Sequence, residues 1–239
     1  MIPKLIQKCV LAAAVGLSFS GAICAGQDLE QELRLKAGNY WVYRGTVEWT
    51  YVDTTPPQFG KKRITWKSEI LEETARGDLK AFLVQGSFFD LPWYEPDTRP
   101  GQYIWIVYRD RFYSIAVDPE ILARFHDARD SLIDLVLAEE PILQAPLHLG
   151  RCTVGLKPTE PRQRPDLRYC WYLENRRKQN FDVIGPAHNL KTVWTARYQT
   201  LPSHEILGFA PGIGFVSFDF SHHGTLSEAH VKLVEARLQ

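Results

Sequence analysis

The 239-residue chain has only four cysteines and one methionine, and no excess charge, with 28 Lys plus Arg against 28 Asp plus Glu. Balanced charge leaves no global field to favour nucleic acid or an acidic membrane surface. Cysteine is too sparse for a disulfide-stapled miniprotein. No stretch supplies the ~20 apolar residues of a membrane-spanning helix. No Gly-x-Ser-x-Gly nucleophile elbow exists, since Gly86-Ser87 lacks the second glycine. Pro211-Gly212-Ile213-Gly214 leads into the strand pattern FVSFDF with no lysine after it, so it fails the phosphate-loop context and reads as a tight turn. What is present is globular composition, 45% hydrophobic and 23% charged, long enough to bury ~70% of the unfolded surface. None of this names a reaction.

Residues 1–25 read as a secretory signal peptide: Lys4 and Lys8, the apolar run Val10 to Leu17, then small residues around Ala22-Ile23-Cys24-Ala25. Cleavage after Ala25 or after Cys24 fits. Acylation of Cys24 as a lipoprotein anchor is disfavoured, because Gly21-Ala22-Ile23 inverts the large and small positions such a signal uses. The expected mature chain, residues 26–239, is periplasmic or extracellular. It loses Lys4 and Lys8 and no acid, which leaves a formal charge of −2 from the 28 and 28 of the full chain.

Export leaves Cys152 and Cys170 as the only thiols of that chain, and two thiols in an oxidising compartment predict one disulfide. The stretch between them carries Pro158, Pro161 and Pro165 and reads as an exposed loop between strands. A redox or metal pair is the competing reading, but the spacing is not Cys-x-x-Cys.

Alternation of period two dominates. NYWVYRGTVEWTYVD (39–53) places Trp41, Tyr43, Val47, Trp49 and Tyr51 at even spacing, and RITWKSEILEET (63–74) continues it. Gly45 inside the first run marks a bulge, a bend or a close backbone approach. Further strands are expected at 79–89, 103–109, 111–117, 147–156, 168–173, 193–201, 215–220 and 231–236. From Asp118 the period changes. Ile121, Leu122, Phe125, Leu132 and Val136 recur at threes and fours, Asp118 can cap and Pro119 can open a helix, and Pro141 stops it. The fold class expected is α+β: one strongly curved antiparallel sheet, a half-barrel, with one long amphipathic helix (118 to about 138) on its concave side. Leu35-Lys36-Ala37-Gly38 is echoed by Leu147-His148-Leu149-Gly150, which suggests two sheet halves that start alike.

The segments GNYWVYRGTVEW, YCWYLE and PGIGFVSFDFSHHGTLSE resemble an uncharacterised family of exported bacterial proteins. In that family a Gly-x-x-Trp strand starts the domain and a Pro-Gly-x-Gly strand leads to a late hairpin. The motifs are structural and the resemblance implies no activity. More distantly, the expected architecture resembles the half-barrels of the LolA and LolB lipoprotein carriers, an analogy of fold alone.

Candidate sites follow. A half-barrel carrier would line its cavity with Trp41, Tyr43, Trp49 and Trp66, whereas a structural module would pack the same rings shut. Trp93 and Tyr94, in Asp90-Leu91-Pro92-Trp93-Tyr94-Glu95-Pro96, either offer flat surface to sugars or peptides or fold back as a lid. His222, His223 and His230, with Asp219 and Glu228, form the densest group of metal-type donors, though Ser-His-His-Gly-Thr also suits a polar hairpin tip. Glu139-Glu140 are adjacent acids at a helix end, normally solvated and not paired for acid/base work. The function expected is an exported, non-enzymatic binding or envelope-associated protein holding an apolar small molecule or lipid, or meeting an envelope protein partner, without cofactor or nucleic acid. The alternatives are a carbohydrate- or peptide-binding surface module and a metal-dependent enzyme centred on the three histidines.

Overall fold

A computed structural model describes residues 28–51, 54–94, 99–156, 166–181, 190–223 and 227–239. The expected signal peptide with Cys9 and Cys24, the prolines 158, 161 and 165, Glu95-Pro96 and the Gly224-Thr225 tip lie outside these residues.

Among the described residues, eleven strands form one antiparallel sheet: β1 (Tyr40–Tyr51), β2 (Gln58–Arg76), β3 (Leu79–Gln85), β4 (Gln102–Tyr108), β5 (Arg111–Ala116), β6 (Leu143–Gln144), β7 (Trp171–Asn180), β8 (Leu190–Gln199), β9 (Ser203–Ala210), β10 (Gly214–His222) and β11 (Ser227–Arg237). The order β6-β5-β4-β3-β2-β1-β11-β10-β9-β8-β7 joins two meanders, one from each half of the chain, through the pairing of β1 with β11. Gly45 permits this join. A Cβ there would stand 1.7 Å from the His230 carbonyl oxygen, so the residue serves a close backbone approach, while the irregularity in register falls at Val42/Tyr43.

The sheet curls into a nearly closed barrel. Segment 142–153 bridges the two edge strands: Ile142 N–H bonds to Phe112 O (2.8 Å) and Ala145 N–H to Asp110 O (2.8 Å), while Gly150 N–H reaches Leu173 O (2.8 Å) and Thr153 N–H reaches Trp171 O (2.8 Å). The expected strand 147–156 is therefore only two isolated bridges, at Leu149 and Cys152. Gly150, at φ +68°, turns the chain between them. Cys152 and Cys170 are disulfide-bonded on this seam.

Alternate residues of both meanders meet in the lumen, among them Trp41, Tyr43, Phe112, Phe209, Phe215 and Phe218. Helix α1 (Leu29–Leu33), capped by the Asp28 side chain on Glu30 N–H, adds Leu29 and Leu33 to this cluster. The tight turn 211–213 docks on α1 through Gly212 N–H to Glu32 O (2.8 Å).

The long helix on the concave side is not what forms. Two short helices do, α2 (Pro119–His126) and α3 (Ile133–Ala138), and they cover the outer face of β3, β4 and β5, where Phe125, Leu132 and Val136 pack on Leu83, Ile104 and Tyr113. The Asp118 cap and Pro119 start α2 as the sequence implies. The helix breaks because two aspartates turn the backbone locally: Asp127 accepts from Arg129 N–H (2.9 Å) and Asp130 from Leu132 N–H (2.8 Å). Arg76 then holds the carbonyls of Phe125 and Asp130.

The lumen is filled instead by a 3-10 turn, Phe88–Trp93. Gly86, at φ +78° and with its Cα so close to Lys67 that a Cβ would meet the Lys67 carbonyl at 2.2 Å, ends β3 and swings the chain inward. Phe88 then stacks with Phe89, Phe215 and Phe218 at centroid distances of 4.7, 5.0 and 5.4 Å.

Candidate ligand cavity

Because β6 spans only two residues, it pairs β5 only at Arg111 and Phe112. The rest of β5 faces the β7 to β9 edge of the barrel across a gap. A cavity of about 470 Å³ opens there, walled by Phe89, Tyr103, Trp171 and Tyr198, with Ser114 and Glu205 as inner polar groups. Ala116, Glu139 and Glu140 form its rim.

Phe89 comes from the 3-10 turn, and the other wall residues are placed by strand parity. Tyr198 is the direct cross-strand partner of both Trp171 and Glu205, and Glu205 is also opposite Phe220. Glu205 has the same parity as Leu207 and Phe209, both in the interior cluster, so its carboxyl faces inward. Trp171 and Tyr198 lie 5.5 Å apart, and Phe89 stands edge-on to Trp171 at 6.3 Å. The Tyr103 hydroxyl donates to Asp90 Oδ1 (2.8 Å), whose other oxygen takes Gly101 N–H (2.7 Å), which fixes that wall.

Glu205 has no hydrogen bond or ion pair among the described residues, and burial alone pushes its carboxyl up to about 7. Ser114 Oγ, also buried, likewise lacks a partner among them. Buried polar atoms in native proteins are nearly always hydrogen-bonded. Ser114 Oγ is such an exception, and it shares the lining of one aromatic cavity with the partly exposed Glu205 carboxyl, which has no partner among the described residues; together they mark a binding site.

The six aromatics singled out from the sequence are placed differently. Trp41, Tyr43 and Trp66 are buried with their polar atoms bonded inside: Trp41 Nε1 to Ile213 O (2.6 Å), Tyr43 hydroxyl to Phe215 O (3.0 Å), Trp66 Nε1 to Gly86 O (2.6 Å). Trp49 packs half-buried across Gly60 and 6.1 Å from Tyr94. Trp93 is 73% exposed, 6.3 Å from Phe220. None of the six lines the cavity.

The histidines are spread along the β10–β11 hairpin. His230 faces Asp219 (2.9 Å) and Glu228 (3.6 Å), whereas the ring of His223 stands beside His204, 5.7 Å between centroids, and the His223 backbone N–H bonds to Pro202 O (2.6 Å). Among the described residues no group of three or more His, Cys, Asp or Glu is arranged to hold a metal ion.

No family model matches the chain, and no curated protein matches it. Among solved structures it is similar to a protein from Bacteroides fragilis described as exported and as having a YmcC-like fold, at 9% identity and TM-score 0.38, covering 86% of this chain and 98% of that one. It is also similar to a protein from Parabacteroides distasonis described as a lipoprotein, at 7% identity and TM-score 0.36, covering 86% and 99%. Likeness at this level carries no functional argument, and the site rests on its own geometry.

Proposed function

We propose that the mature chain, residues 26–239, is an exported, non-enzymatic binding protein that holds a small ligand with an apolar body in the cavity beside the barrel seam. The single observation that carries this reading is the unpartnered Glu205 carboxyl, facing four aromatic rings across a space of ligand size. Export is supported by Lys4 and Lys8 ahead of an apolar run and by the Cys152–Cys170 disulfide. No described helix is long and apolar enough to cross a membrane.

Octanol is a suitable uncharged probe, because Trp171 lies in the wall and reports occupancy by its fluorescence. Saturable change in the wild type, lost when exposed Ala116 at the rim is replaced by Trp, supports the reading; no saturable change overturns it. A second reading, a surface module for sugars or peptides, is favoured by Trp93, whose ring is largely exposed. It predicts binding that Trp93→Ala removes and Ala116→Trp leaves intact.

A further inference from the structure

We infer that the ligand of this cavity is an organic cation, an amine or quaternary ammonium carried on an apolar body, and that a fatty acid or other anionic amphiphile is excluded. The inference rests on the cavity being a ligand site and adds the charge of its occupant.

Among the described residues, charge at the cavity has one sign. Glu205 lies within, Glu139 and Glu140 stand at the rim, and Asp90 lies directly behind the Tyr103 hydroxyl. No lysine, arginine or histidine contributes to the lining among the described residues. An anion entering here meets carboxylates from three elements, the 3-10 turn, the segment after α3 and β9, with no cation among the described lining residues to neutralise it. A cation meets the reverse. Its charge supplies the partner that Glu205 lacks among the described residues, and an ammonium N–H can bond to the carboxylate.

The walls suit the same ligand. Trp171, Tyr198, Tyr103 and Phe89 present ring faces and edges at 5.5 to 6.4 Å from one another. Cations bind over such faces within about 6 Å of a centroid, best over Trp, and recognition of ammonium groups by aromatic cages uses this attraction. Aromatic walls alone suit any apolar molecule, and an acid alone suits any donor; the two in one enclosure select a cation with an apolar body.

Protonation sets when the site is competent. With the Glu205 carboxyl pushed up to about 7, the carboxylate form holds the cation at pH 8 and the acid form predominates at pH 5.5. Among the described residues, the other titratable groups facing the cavity are the tyrosines 103 and 198 and the rim carboxylates. Burial, then the hydrogen bond to Asp90, raises Tyr103 further from the working range. Glu205 is thus the inner group through which pH acts.

The test uses three probes of one chain length, octylamine, octanol and octanoate, titrated against the full mature protein by Trp fluorescence at pH 8 and pH 5.5. Octylamine is expected to bind at least about tenfold tighter than octanoate at pH 8, a ratio set by a single well-placed charge contact. Glu205→Gln and the shift to pH 5.5 should each shrink that ratio severalfold, while octanol binding to Glu205→Gln shows that the variant is folded with its cavity intact. Octanoate binding as tightly as octylamine, or a ratio untouched by Glu205→Gln, overturns the cation inference and leaves the cavity reading standing. Failure of all three probes to bind overturns both.

Discussion

The bond between Cys152 and Cys170 ties the short segment that bridges the barrel's edges to the start of β7, one residue ahead of Trp171 in the cavity wall. The disulfide therefore holds the seam and the cavity together, in addition to closing the loop between the two cysteines.

Replacing both cysteines by serine releases an 18-residue loop constraint and should cost ~3 kcal/mol in the chain-entropy account. Denaturant unfolding of the double variant measures it. A change under about 1 kcal/mol would mean that the backbone bonds of Gly150 and Thr153 hold the seam unaided.

Phe88→Ala and Trp93→Ala come from the same 3-10 turn and should differ sharply. Phe88 is fully buried at the centre of the aromatic stack, and its loss should cost ~3 to 5 kcal/mol. Trp93 is largely exposed, and its loss should stay within about 0.5 kcal/mol. Equal effects in thermal melts would contradict the assignment of Phe88 as the filler of the lumen.

Phe125→Ala should likewise cost ~3 kcal/mol or more, since Phe125 is buried between α2 and the outer face of β3 to β5. Arg124→Ala breaks its bonds to Asp130 and Asp134 at the surface and should cost about 1 kcal/mol or less. Comparable losses would mean that the helix pair is held by its ions.

Glu205→Gln should stabilise the protein in a pH-dependent way. A carboxyl whose proton is held more tightly folded than unfolded contributes fully below the ordinary glutamate range, and that contribution disappears as pH rises to about 7. At pH 8 the wild type carries a partly buried charge, without a partner among the described residues, that glutamine avoids. The variant should therefore be more stable there by ~2 to 3 kcal/mol, with the gap closing towards pH 4. Melting temperatures of both proteins from pH 4 to 8 give the answer; a constant gap would place the carboxyl in water.

Most of the sheet was legible in the sequence because its strands are buried on one face, and Trp41, Tyr43 and Val47 print that as strict alternation. The curvature and the turn at Pro211-Gly212 were legible for similar reasons. The single long helix was misread because its apolar stripe runs on through Asp127 and Asp130, whose side chains compete with the helical backbone. The helices face outward because Phe88 already occupies the lumen, and that depends on Gly86 ending a strand that the pattern extends to Phe89.

Strand β9 was missed for a reason that bears on the site. In Ser203-His204-Glu205-Ile206-Leu207 the inward position that alternation reserves for an apolar residue is held by Glu205. The residue that hides the strand is the one that makes the cavity chemically distinctive. An acid at an inward parity, once its strand is known, is the signal that sequence reading lacked.

The central claim is that Glu205 lies unpaired in a cavity that a cationic ligand fills. Carbon-13 NMR titration of the Glu205 carboxyl, assigned by comparison with Glu205→Gln and run with and without saturating octylamine, tests it most directly. The account predicts a midpoint of about 7 in the free protein, falling clearly when the amine is bound. A midpoint in the ordinary glutamate range, or one that saturating octylamine leaves unmoved, would contradict it.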